Sequence, residues 1–95
     1  MSQDGREQDV AWVLQQDVWR EVRRVFETRR KQEGLTQAEL ARRISLQRER
    51  VHYWLSDPRR MTLRAAARLL AGMDARLECR SRSLARIHRP FTTLD

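Results

Sequence analysis

The segment QRERVHY, residues 47–53, places Gln47, Arg48, Glu49, His52 and Tyr53 within two helical turns. Their common chemistry is hydrogen bonding. Arginine presents a rigid fork of donors, glutamine a donor beside an acceptor, and glutamate acceptors only, while histidine and tyrosine do both. Against nucleic-acid base edges these groups match specific partners: arginine the O6 and N7 of guanine, glutamine adenine, glutamate the amino group of cytosine. His52 has no nucleophile at a matched spacing, and no cluster of Cys and His has zinc spacing. Neither catalysis nor a metal or other cofactor is therefore expected. Glu49 keeps two roles open: accepting from cytosine, or pairing with Arg48 or Tyr53 to position them.

Two short helices must hold these side chains. The first starts near Thr36, a capping residue, with Glu39 three positions on to reach back and Leu35 and Leu40 as a hydrophobic staple. Its inward positions are Leu40, Ala41 and Ile44, and a short turn follows at Ser45. The second helix, from about Gln47 to Leu55, turns Val51, Trp54 and Leu55 inward and stops before Pro58. Two such helices joined by a tight turn form a helix-turn-helix. In that arrangement the second helix fits the major groove with its N-terminal residues toward the bases. Phosphate contacts are expected from Gln37, at a helix N-terminus where free amides and the dipole favour an anion, and from Arg50, Arg59, Arg60 and, behind them, Arg43.

The remaining segments frame this unit. Residues 1–9 are polar and aperiodic, and are expected to be disordered. The helix-turn-helix domain is assigned to residues 10–73. Val10, Leu14, Val18, Val22, Val25 and Phe26 have helical spacing, and Gly34 ends that helix in the left-handed manner. Thr62 caps a last helix with Leu63, Ala66, Ala67 and Leu70 as its apolar positions, closing at Gly72. Residues 74–84 then change period. In ARLECRSRS, Ala75, Leu77 and Cys79 alternate with Arg76, Glu78, Arg80 and Arg82, the pattern of a strand with one buried face. A lone strand needs a partner for its backbone, and the same strand of a second copy supplies one. Cys79 is expected to be a small buried apolar residue. Residues 85–95 are expected to be a flexible basic tail. Trp54 belongs in the core, Trp19 in the core or at a partner surface, and VAWVL around Trp12 either packs on the domain or holds a protein partner.

The chain has 95 residues, a net charge of +7 and a pI near 11.3. A domain of this size buries a marginal core and is often helped by self-association. Through Glu33 the basic and acidic residues cancel, so the whole excess lies beyond Gly34. Many solvated surfaces are basic, but an excess gathered beside residues 47–53 favours an anionic partner, with nucleic acid first. Nearly all the cations are arginine, the better residue for bidentate contacts. Stacking aromatics on a sheet, the usual device for single-stranded RNA, are not evident. No apolar run is long enough for a bilayer and no charged-then-apolar leader is present, so a cytoplasmic, nucleoid-associated protein without membrane contact is expected.

GLTQAELARRISLQRERVHYW resembles the helix-turn-helix of phage repressor and Cro-type regulators, the Xre-like family, over roughly residues 17–73, most specifically at Thr36-Gln37, Leu40-Ala41 and Val51. The resemblance implies a mainly α, lambda-repressor-like domain of four to five helices, a homodimer, and a palindromic operator of double-stranded DNA. By position it places a phosphate on Gln37 and bases before Gln47, Arg48, Glu49 and Tyr53. MTLRAAARLLAGMDARLECRSRS is particularly similar to antitoxins of HipB and HigA type. These imply a strand pairing across the dimer and a toxin as possible partner. The function expected first is a dimeric, sequence-specific repressor of its own operon; the alternative is an antitoxin that neutralises a toxin as well as binding DNA. Two departures stand out: Ser45 occupies the turn position where the family usually has glycine, and Leu55 one where many members carry a glutamate paired with an arginine of the first helix.

Overall fold

A computed structural model describes residues 2–84, with side chains from residue 5 onward. The expected tail, 85–95, lies outside the described residues. Four helices form the fold: α1 (Ser2–Glu33), α2 (Gln37–Arg43), α3 (Arg48–Leu55) and α4 (Leu63–Gly72), with a 3₁₀ turn at Pro58–Arg60 between α3 and α4. The helical content matches the mainly α expectation. The polar segment 1–9, expected to lack order, is helical from Ser2 onward as the first turns of α1. A helix already anchored at its C-terminal half needs no second nucleation step to extend through such residues.

Local side chain–backbone bonds set the starts. Thr36 accepts from the Glu39 amide at 3.1 Å and Thr62 from the Ala65 amide at 3.0 Å. Glu39 does not complete the reciprocal bond; its carboxylate turns to Arg42 and Arg43. Gly34, at φ 73°, ends α1 as expected. α2 and α4 end in the same two-bond motif. Leu46 N–H donates to the Ala41 carbonyl and Ser45 N–H to that of Arg42, while Ala75 and Asp74 donate to Leu70 and Ala71. The left-handed positions of these motifs are Ser45 (φ 58°) and Asp74 (φ 55°), neither of them glycine.

Ser45 carries the strain that a Cβ meets there, about 1–2 kcal/mol, and its side chain has no hydrogen bond among the described residues. Ser45→Gly removes that strain at the expense of a freer unfolded chain. The substitution is expected to raise stability by about 0.5–1 kcal/mol, read as a higher denaturant midpoint. A lowered midpoint would show that the serine is favoured in the turn.

The core gathers Val18, Val22 and Phe26 of α1, Leu35, Leu40 and Ala41 of α2 and its approach, Val51 and Leu55 of α3, Met61, and Ala65, Ala66, Leu69 and Leu70 of α4 with Met73. Among the described residues it contains no buried polar side chain. The α4 pattern differs from expectation: Leu63, 71 % exposed, and Ala67 face outward, while Ala65 and Leu69 take inward places. Arg64 and Arg68 are the only polar side chains on α4, so its periodicity could not choose a face. Gly72 is needed where α4 meets α2. A Cβ there would stand 2.6 Å from Ile44 Cγ2 and 2.7 Å from Leu40 Cδ1, and Leu40 is fully buried.

After the turn at Met73 and Asp74 the chain has no regular secondary structure, and no strand forms among the described residues. Ala75 and Leu77 are half-buried against the protein's own core. Cys79 is exposed, contrary to the expectation of a buried residue, because the chain has left the core by that point.

Candidate nucleic-acid interface

α3 is amphipathic by position. Val51 and Leu55 are fully buried, and Trp54 is half-buried. Gln47, Arg48, Glu49, Arg50, His52 and Tyr53 are all exposed. Gln47 occupies the N-cap of α3 without bonding the helix through its side chain, so its amide stays available. Arg48 and Glu49 form no ion pair among the described residues. The pairing of Glu49 with Arg48 or Tyr53 that would have explained its presence is thus not made. The resulting face has bare donors and acceptors at the N-terminal end of α3.

Arginines from the following turn border this face. The Arg60 guanidinium lies 4.3 Å from the centroid of the Tyr53 ring, a cation–π contact, and Arg60 also donates to Ser56 Oγ at 3.2 Å. Arg50 lies 5.8 Å from the Trp54 centroid. Arg59 is bound to Asp57, with Nη2 2.9 Å from the carboxylate, and Asp57 also accepts from the Arg59 amide at 2.9 Å. The side-chain bond from Arg59, followed by that amide, holds the Asp57 carboxyl below its usual range, and the same pair raises Arg59. These contacts fix the guanidinium groups of Arg59 and Arg60 beside α3 while leaving both residues exposed.

Arg43 is occupied differently. It donates to the Gly72 carbonyl at 3.1 Å and meets Glu33 at 3.4 Å and Glu39 at 3.6 Å, tying α2 to the ends of α1 and α4. Gln37 opens α2 as a half-exposed side chain. The structure thus brings Gln47, Arg48, Glu49, His52, Tyr53, Arg50 and Arg60 together on and beside α3, whereas Arg43 serves a joint between helices. Ala75, Leu77 and Cys79 belong to a separate part of the surface.

The supports of α3 include hydrogen bonds not expected from sequence. Trp19 Nε1 and Arg23 Nη1, both on α1, donate to the Leu55 carbonyl at 3.0 and 3.1 Å. That carbonyl is one of the orphan acceptors at the end of α3, and a cation there also favours the helix dipole. Leu55 offers no side-chain acceptor, and its backbone oxygen receives Arg23. Gln15 Nε2 holds the 3₁₀ turn through the Arg59 and Met61 carbonyls, at 3.1 and 3.2 Å. Arg68 donates to the Ile44 carbonyl at 2.7 Å, across the turn between α2 and α3. Only the i, i+4 spacing of Trp19 and Arg23 on a helix marked them as neighbours beforehand.

Among the described residues no group of three or more His, Cys, Asp or Glu side chains could hold a metal ion, and no helix is long and apolar enough to cross a membrane. No protein-family model matches the chain, and neither a curated protein nor a solved structure does.

Proposed function

We propose that this protein is a sequence-specific, dimeric DNA-binding regulator that presents α3 to the major groove of an inverted-repeat operator and represses transcription there. The observation that carries the reading is the outward face of α3. Five exposed side chains with base-edge chemistry stand on a short helix whose opposite side is locked into the core. The helix pair α2–α3 joined at Ser45 is read as a helix-turn-helix, with Gln47, Arg48 and Glu49 nearest the bases and His52 and Tyr53 one turn behind. Unpaired, Glu49 is assigned to the cytosine amino group. Phosphates fall to Gln37, Arg50, Arg59 and Arg60, which set register and make affinity strongly dependent on salt. Two such helices on a dimer reach successive major grooves about 34 Å apart. The alternating segment 75–83 offers a strand for pairing between copies, and its Ala75 and Leu77 also pack on the protein's own core.

Selection from random duplex DNA tests this reading. A two-fold symmetric site with half-sites about one helical turn apart is expected, bound with an affinity that falls steeply as salt rises. Recovery of no consensus, with equal affinity for unrelated duplexes, would exclude sequence-specific regulation. A second reading, an antitoxin that restrains a toxin as well as binding DNA, is favoured by one observation: Val10, Trp12, Val13 and Leu14 on α1 are left uncovered.

A further inference from the structure

The first half of α1 stands clear of the domain. At 1.5 Å per residue its 32 residues span about 48 Å, close to the 47 Å long dimension of the whole molecule. Every residue from Gly5 to Leu14 is exposed, and the first hydrogen bonds to another element come from Gln15. This arm is nevertheless apolar on one side. Val13 and Leu14 are 51 % and 54 % exposed, and Val10, Leu14 and Val18 continue a single i, i+4 row that enters the core only at Val18. A row written for burial is left without cover for two turns.

A matching surface lies where that row meets the core. Val18 borders an apolar hollow of about 310 Å³ shared with Leu63, Ala67, Leu70 and Leu77. The outward turn of Leu63 and Ala67 forms one wall, so α4 is apolar on a face that no other described residue covers. The rim is basic. Arg64 and Arg68 edge the adjoining surface of α4 and Arg76 the hollow itself, and Arg64 has no ion pair among the described residues. The arm has the opposite sign: residues 1–16 contain Asp4, Glu7 and Asp9 against Arg6 alone. The sequence 85–95 carries Arg86 and Arg89 against Asp95 and does not complement a basic rim.

We propose that the α1 arm of one copy docks in the α4 hollow of a second copy, reciprocally, so that Val10, Val13 and Leu14 cover Leu63 and Ala67 across a two-fold axis. The arm and the hollow adjoin at Val18, so each copy offers both halves of the contact side by side and the contact is made twice. The carboxylates of the arm then face the arginines of the rim. This places the dimer invoked for DNA recognition on the arm and the hollow instead of on pairing of segment 75–83, and it rests on that reading only for its biological use. The association itself is measurable without DNA.

The test is sedimentation of the full chain and two variants, with helicity and thermal midpoint as controls for folding. The changed side chains are exposed and lie outside the core, so both variants are expected to melt like the wild type. Val10→Arg with Leu14→Arg sets arginines on the arm against the basic rim. Ala67→Glu sets a carboxylate in the hollow against the acidic arm. Each is expected to weaken the dimer by about 100-fold or more, because a like-charged or unpaired ion is buried in an apolar contact. Mixing the two is expected to restore dimers. The mixed pair has one unchanged arm on an unchanged hollow, and one arginine-bearing arm on a glutamate-bearing hollow. Recovery on mixing identifies reciprocal arm exchange. A monomeric wild-type chain would overturn the proposal and leave the arm to a different protein, such as a toxin. Arm variants that remain dimeric, or variants that stay monomeric when mixed, would overturn it equally. If wild-type dimers form but select no DNA site, the regulatory reading fails while this interface stands. Specific DNA binding by a dimer indifferent to both substitutions overturns this interface and leaves the regulatory reading standing.

Discussion

Replacing Gln47 and Arg48 together by alanine is expected to abolish discrimination between the selected operator and unrelated DNA without unfolding the protein. Both side chains are exposed, and neither makes a contact that holds the fold, since Gln47 caps α3 through its backbone alone. Their loss should leave stability within about 0.5 kcal/mol. A bidentate contact to a base pair contributes about 1–3 kcal/mol of discrimination. With Arg48 alone so engaged in each of two half-sites, the variant loses about 2–6 kcal/mol, or roughly tens- to tens-of-thousands-fold in specific affinity. The phosphate contacts proposed for Arg50, Arg59 and Arg60 are untouched by the substitutions, so binding to unrelated duplex and its salt dependence should change little. Anisotropy titrations at fixed salt, on operator and scrambled duplex, measure both quantities. Equal losses on both duplexes would make Arg48 a phosphate contact, and no loss would remove α3 as the reading element.

Trp19→Phe combined with Arg23→Met should destabilise the domain by more than the two single changes added together. Phenylalanine and methionine keep most of the packing volume but neither can donate to the Leu55 carbonyl. Either single variant leaves one donor in place, at 3.0 or 3.1 Å, so the carbonyl remains satisfied. The double variant leaves a part-buried acceptor without a partner and removes a hydrogen bond from a charged group, together about 2–3 kcal/mol. Denaturant unfolding of the four proteins gives the coupling directly. The same variant should weaken operator binding, because the C-terminal end of α3 is no longer held against α1. Additive single changes would mean that the two bonds act independently and that this carbonyl finds another donor, such as water.

Much of the local structure was legible in advance. Thr36 and Thr62 cap their helices as expected because a hydroxyl and an amide three residues apart need no other part of the chain to meet. Val51 and Leu55 are buried and His52 and Tyr53 between them exposed because α3 carries apolar residues on one side only. α4 was harder. With apolar residues on almost every side, either Leu63 and Ala67 or Ala65 and Leu69 could have turned inward, and packing against α1 and α2 chose the second pair. The candidate site shows the same division. The identity of its outward residues follows from helical period. Which arginines remain available does not, since Arg23, Arg43 and Arg68 are bonded to carbonyls between 24 and 32 residues away.

By itself the sequence determined where α1 ends, where α2, α3 and α4 begin and end, the mainly α class and the polar face of α3. All of these arise from interactions within a turn or two of chain. The tertiary structure alone decided which apolar residues are covered, which cations hold the fold and which stay outward, and that the apolar row of α1 runs on past the core into an uncovered arm. Those outcomes depend on surfaces brought together from distant parts of the chain, and hydrophobic burial is non-directional, so periodicity names a face without naming what lies against it.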